Sequence, residues 1–125
     1  MSHPPGVVRR KGMNTLHSII HPVTDIEAAK AIHSALLGVE PHTDTPYYVG
    51  YNVGGVEIAL NPQGHAQGLT GPVAQFGVED LGAAVEAVVA AGATLVSAPT
   101  EVGGGTTIAT VADKDGNVTG LIARS

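Results

Sequence analysis

Two stretches of the chain carry apolar residues at helical spacing, and β-branched runs bounded by turn residues lie on either side of each. In the first, Ile26, Ala29, Ile32 or His33, Leu36 and Leu37 fall on one stripe of a helix; in the second, Leu81, Ala84, Val85, Val88 and Val89 do. A carboxylate ahead of each stripe, Asp25 or Asp80, suits the orphan amides of a first helical turn, and Gly38 and Gly92 suit the left-handed residue that ends a helix. The two openings are one motif written twice. Val23-Thr24-Asp25-Ile26-Glu27-Ala28-Ala29 returns fifty-five residues later as Val78-Glu79-Asp80-Leu81-Gly82-Ala83-Ala84, so the chain reads as an internal duplication.

The alternating runs supply strands. Leu16 to Val23 leads into the first helix and Val73 to Val78 into the second. Beyond the first helix, Tyr47 to Val53 and Val56 to Leu60 flank Gly54-Gly55, a two-residue hairpin signal. That turn length pairs Val53 with Val56, Tyr51 with Ile58 and Val49 with Leu60 on an apolar face that must lie under the helix. Tyr48, Gly50, Asn52, Glu57, Ala59 and Asn61 are left on the other face. In the second half, Thr106 to Ala112 and Asn117 to Ala123 flank the turn Asp113-Lys114-Asp115-Gly116.

A strand, a helix and three strands, done twice, predict an α+β domain. Module one occupies residues 15–61, a linker 62–72 and module two 73–124, with the polar faces of two small mixed sheets lining a shared concave cup. Residues 1–14 show no apolar period and read as a loose tail.

Composition narrows what such a body can do. Its 125 residues allow one domain, and with one Phe, three Tyr and no Trp the core must come from Val, Ile, Leu and Ala. The absence of cysteine removes disulfides, thiolate metal sites and a cysteine nucleophile, and fits a cytoplasmic location. A formal charge of −5 hides a more acidic body. Arg9, Arg10 and Lys11 are half of the basic residues, so from Asn14 onward three basic face eleven acidic side chains. Such a surface repels phosphate backbones, and nucleic acid is not an expected partner. A membrane is not one either, since no run approaches the roughly 20 apolar residues of a spanning helix.

The repeated module, the Val-x-Asp-Ile/Leu-x-x-Ala helix openings, Leu36-Leu37-Gly38, Ala91-Gly92-Ala93 and the closing Asp113-x-Asp-Gly-Asn117 resemble the vicinal oxygen chelate superfamily. That is the group of glyoxalase I, bleomycin-resistance proteins and extradiol dioxygenases. The resemblance spans roughly Thr15 to Arg124 and implies two βαβββ modules around a cup, a scaffold that hosts many chemistries. In its metal-using members, inward side chains from four strands hold a divalent ion. The resemblance puts those four positions at Ser18, Ala59, Val73 and Gly120, none of them a competent ligand.

The expectation is therefore a protein with no metal and no cofactor. It would sequester an apolar or mixed small molecule in the cup of a homodimer, similar to the bleomycin-resistance branch. The alternatives are an enzyme of the lyase or dioxygenase class that uses Glu57, Tyr48 or an unrecognised metal site, and a purely structural module whose own side chains fill the cup.

Residues expected to meet the ligand are Ser18, Ile20, Tyr48, Asn52, Glu57, Asn61, His65, Gln75, Thr107, Val111 and Val118, with Ala109 and Ile122 beside them. Glu57 is expected to stand solvated near the hairpin at the rim. His17 is expected outside the cup, because slipping the strand by one residue would swing Ile19 and Val23 off the helix at roughly 25 cal/mol per Å². None of His3, His17, His21, His33, His42 and His65 shows a ligand spacing; His17 and His21, four apart on a strand, would be separated by roughly 13 Å. Gly103-Gly104-Gly105 precedes a strand and not a helix, so it reads as a turn and not a phosphate loop. Asp113, Asp115 and Asn117 begin like a calcium loop, but Val118 stands where its glycine is required.

Overall fold

A computed structural model describes residues 14–124; nearly all of the predicted tail lies outside them. The chain runs β1 (Thr15–Pro22), α1 (Ile26–Leu37), β2 (Thr43–Thr45), β3 (Tyr48–Val53), β4 (Val56–Asn61), a 3₁₀ turn (His65–Gln67), β5 (Val73–Gly77), α2 (Leu81–Ala90), β6 (Thr94–Gly103), β7 (Thr106–Ala112) and β8 (Val118–Arg124). Both helices start on the predicted carboxylates. Oδ1 of Asp25 accepts from the Ala28 amide and Oδ1 of Asp80 from the Ala83 amide, each at 3.0 Å. Gly38 ends α1 in the left-handed region at φ 72°, its amide donating to the Ser34 carbonyl at 2.9 Å.

The strands lie in the order β2-β3-β4-β1-β5-β8-β7-β6. Within each half the first strand runs parallel to the last, β1 beside β4 and β5 beside β8. The halves are not separate sheets, however. β1 and β5 pair antiparallel, with Ile20 opposite Val73, and make one eight-stranded sheet. Each opening strand has only one neighbour inside its own module, so the pairing satisfies backbone groups on a free edge of both.

The first hairpin has the register its turn demands: Val53 faces Val56, Tyr51 faces Ile58 and Val49 faces Leu60, across Gly54 and Gly55 at φ 59° and 90°. Val49, Tyr51 and Leu60 are fully buried under α1, packed by Ile26, Ala29 and Leu37. Ile32 and Leu36, expected on that stripe, are instead 64% and 74% exposed. Ile26, Ala29, His33 and Leu37 form one line at steps of three and four, and Ile32 and Leu36 stand one residue, about 100°, away from it. His33 fills the gap, its ring stacked on Tyr51 at 6.3 Å and edge-on to His21 at 4.9 Å.

Under α2, Leu81 and Val85 pack on Ala109, Val111 and Leu121, while Val89 is 42% exposed. This corrects the predicted face of β7. The turn closes with Ala112 opposite Val118 and Thr110 opposite Gly120, so even-numbered residues on both strands share the cup face. Val111 and Ala109 serve the helix side, and Thr107, paired with Ala123, shares their parity.

Candidate ligand-binding cup

The middle of the sheet carries a rung of partnered residues from six strands: Asn52, Glu57, Ser18, Gln75, Gly120 and Thr110. The next rung runs through Gly50, Ala59, Ile20 and Val73. Ser18 and Gly120 thus share a level with Glu57 and Gln75, and Ala59 and Val73 sit one step off. The four inward positions at one height on β4, β1, β5 and β8 are Glu57, Ser18, Gln75 and Gly120.

Over this face lies a cavity of about 920 Å³. Of the residues expected at the ligand, Ser18, Ile20, Tyr48, Glu57, Asn61, Gln75 and Val118 line it, and so does Ile122; Ala109 borders it too, although its parity and packing belong to the helix side. Asn52 borders a second hollow of about 370 Å³. Thr107 and Val111 border neither, for the parity reason above, and His65 is exposed on the 3₁₀ turn while Gln67, Gly68 and Leu69 after it form cavity wall. Thr106, Ile108 and Thr110 stand where the odd-numbered β7 residues were expected.

His17 lines both hollows, contrary to expectation. The pairing of β1 with β5 shifts by one residue between Leu16 and Ser18, so the strand carries an extra residue there and turns His17 cupward without turning Ile19 or Val23. A whole-strand slip would have been costly; a local bulge is not. Nδ1 of His17 lies 3.0 Å from Oγ of Ser18, and that hydroxyl donates to Oε1 of Gln75 at 2.8 Å. Since the hydroxyl has one proton and gives it to Gln75, Nδ1 of His17 is the donor of its own bond, leaving Nε2 with a lone pair in the neutral ring. Ser18 is 2% exposed. Gly120 makes room for this chain of bonds, because a Cβ there would stand 2.7 Å from Cγ of Gln75.

Glu57 is not a solvated rim residue. Its side chain is 22% exposed, its Oε1 accepts from Nε2 of His42 at 2.7 Å, and its Oε2 accepts from the Tyr48 hydroxyl. Burial, then the bond to the Glu57 carboxylate, holds the Tyr48 phenol well above the usual tyrosine range, so it stays protonated. Gly50 is the space that lets the three meet: a Cβ there would collide with Oε2 of Glu57 and lie 2.8 Å from Cε2 of Tyr48 and 3.2 Å from Cε1 of His42. His42 was missed in sequence because it lies outside any strand and its partner is fifteen residues away on β4. The signal available was the glycine opposite Ala59 on a face otherwise carrying side chains.

The positions that the family resemblance assigns to metal ligands are Ser18, Ala59, Val73 and Gly120, and the side chains with donor atoms level with Ser18 and Gly120 are Glu57 and Gln75. Both oxygens of Glu57 are engaged, Ser18 and Gln75 are bonded to each other, and Gly120 has no side chain. This set does not fit a divalent ion. Among the described residues, no three His, Asp or Glu side chains gather as a metal-binding group.

The duplicated βαβββ plan and its cup are matched by a family model, glyoxalase/bleomycin resistance protein/dioxygenase superfamily, over residues 15–121. The chain belongs to this superfamily. Solved structures share the superfamily fold at low identity. A protein from Legionella pneumophila described as an NAD-dependent benzaldehyde dehydrogenase superposes with a TM-score of 0.71 at 14% identity, over 90% of this chain and 100% of that one. A superfamily member from Vibrio splendidus gives 0.68 at 19%, over 89% and 100%. Methylmalonyl-CoA epimerase from Mycobacterium tuberculosis gives 0.62 at 18%, over 88% and 87%. No curated protein sequence matches the chain. Among the described residues, no helix is long and apolar enough to cross a membrane.

Proposed function

We propose that this superfamily member binds a small organic molecule of apolar or mixed character in the 920 Å³ cup, without a metal ion. The observation that carries the reading is the hydrogen-bond closure of the central rung: the donors a metal would need are spent on one another or on His42 and Tyr48. The rest of the lining is aliphatic with scattered hydroxyl and amide groups, the composition of a small-molecule pocket. The second reading is an enzyme of the lyase or dioxygenase class using Glu57 or Tyr48; both oxygens of that carboxylate already accept a bond and Tyr48 keeps its proton, so either group would have to change partners to act on a substrate.

The same reading has the chain act as a homodimer. The ten residues of β6, at the edge of the sheet, are all exposed; Leu95, 42% exposed, borders neither hollow, while Val96 and Val102 form cup wall. A solution mass of one chain would refute that part.

The test of binding uses protein stripped with a chelator and dialysed, screened against small hydrophobic compounds by thermal shift. A ligand at a hundred times its Kd adds about 2.7 kcal/mol of stability, a shift of several degrees. Binding that survives the chelator supports the reading. Binding that disappears with the chelator and returns with one equivalent of a divalent ion overturns it.

A further inference from the structure

The two hollows share three residues, His17, Tyr48 and Glu57, which form a sill between them. On the side of the larger hollow stand Ile20, Val73, Ile108, Val118 and Ile122; on the other are Thr15, Asn52 and the hairpin backbone at Gly55. A ligand crossing the sill would therefore have an apolar body on one side and a polar group at or beyond it. The hydrogen-bond directions restrict what that group is. Tyr48 spends its only proton on Glu57, and the Nδ1 proton of His17 goes to Ser18. What these residues have left are a carboxylate, a phenol oxygen and an imidazole Nε2, all of which accept.

Charge points the same way. The ionisable side chains bordering the two hollows are His17, Glu57 and Tyr48, and among the described residues no Lys or Arg lines either one. An anionic group would meet the Glu57 carboxylate, whose partner His42 borders neither hollow. An ammonium has three donors, no acceptor and the complementary charge, and the Tyr48 ring offers it a π face.

Resting on the binding reading above, we infer that the cup selects a cationic amphiphile: a hydrocarbon body in the larger hollow and a protonated amine at the Glu57–Tyr48–His17 sill. Acids, acyl phosphates and nucleotide-linked esters are disfavoured there. His42, already bonded to Oε1 of Glu57 from the side of β2, positions the carboxylate and leaves the ligand the remaining lone pairs.

The experiment measures three probes with one body, octylammonium, octanol and octanoate, against the full chain by calorimetry at neutral pH and two salt concentrations. The expected order is octylammonium, then octanol, then octanoate, with octylammonium ahead of octanol by about tenfold, the scale of one charge-assisted hydrogen bond. That lead should narrow in high salt. E57Q should erase it. The ranking in the unmodified chain stands as a test even if the variant folds poorly. Octanoate binding as tightly as octylammonium, or a lead that persists in E57Q, overturns the inference while leaving a binding cup. Failure of all three probes to bind counts against the cup reading itself, and the amine assignment goes with it.

Discussion

Replacing Gly50 by alanine tests whether the Tyr48–Glu57–His42 cluster is built on that glycine. Gly50 is a buried residue of β3 outside the positive-φ region, so its backbone accepts an alanine and any penalty must come from the added methyl. That methyl would overlap Oε2 of Glu57 and press on Tyr48 and His42, and the carboxylate, being half-buried beside them, has to leave the Tyr48 hydroxyl. A charge-assisted hydrogen bond is worth about 1.5–3 kcal/mol, and alanine regains about 0.5–1 kcal/mol over glycine inside a strand. The net loss is about 1–2 kcal/mol, roughly 4–8 °C in Tm for a domain of this size. Urea unfolding of G50A, Y48F and the double variant measures it. Because both changes break the same bond, their effects should fall short of additive by about 1 kcal/mol. A G50A protein as stable as the parent, or strictly additive losses, would refute the reasoning.

Other substitutions probe the frame around the cup. S18A strips Gln75 of its donor and His17 of its acceptor in a buried position, for an expected loss of about 1–3 kcal/mol in urea unfolding; a neutral result would mean water replaces the hydroxyl. L60A, at a fully buried position under α1, should cost about 2–5 kcal/mol by the same assay, and a loss under 1 kcal/mol would deny that core. D25A and D80A each remove one helix cap and should cost about 1 kcal/mol apiece, adding in the double variant because the caps sit in different modules.

His21 sets a pH dependence. Burial, then the neighbouring His33, lowers its folded pKa below 6.5, so the unfolded chain binds the proton more readily. This contribution to stability is present above pH 6.5 and is lost as pH falls through the lowered folded value. H21Q should lose less stability than the parent between pH 7.5 and 5.5, and equal losses would exclude the assignment.

What the sequence determined by itself is whatever depends on local chemistry and period. The duplicated caps at Asp25 and Asp80, the left-handed Gly38 and the two-glycine turn that sets Val49 against Leu60 each involve neighbours in the chain, and a short turn leaves a register little choice. The family was legible for the same reason, since its motifs are those turns and helix openings. Tertiary structure decided the rest. The β1–β5 pairing joins edges more than fifty residues apart and carries the one-residue bulge that turns His17 into the cup, something no period along a single strand reveals. The meeting of His42, Tyr48 and Glu57 depends on an absent side chain at Gly50, and the path of Gln75 to Ser18 on another at Gly120. Space left by a glycine is a property of packed strands, and it becomes visible only when the strands are side by side.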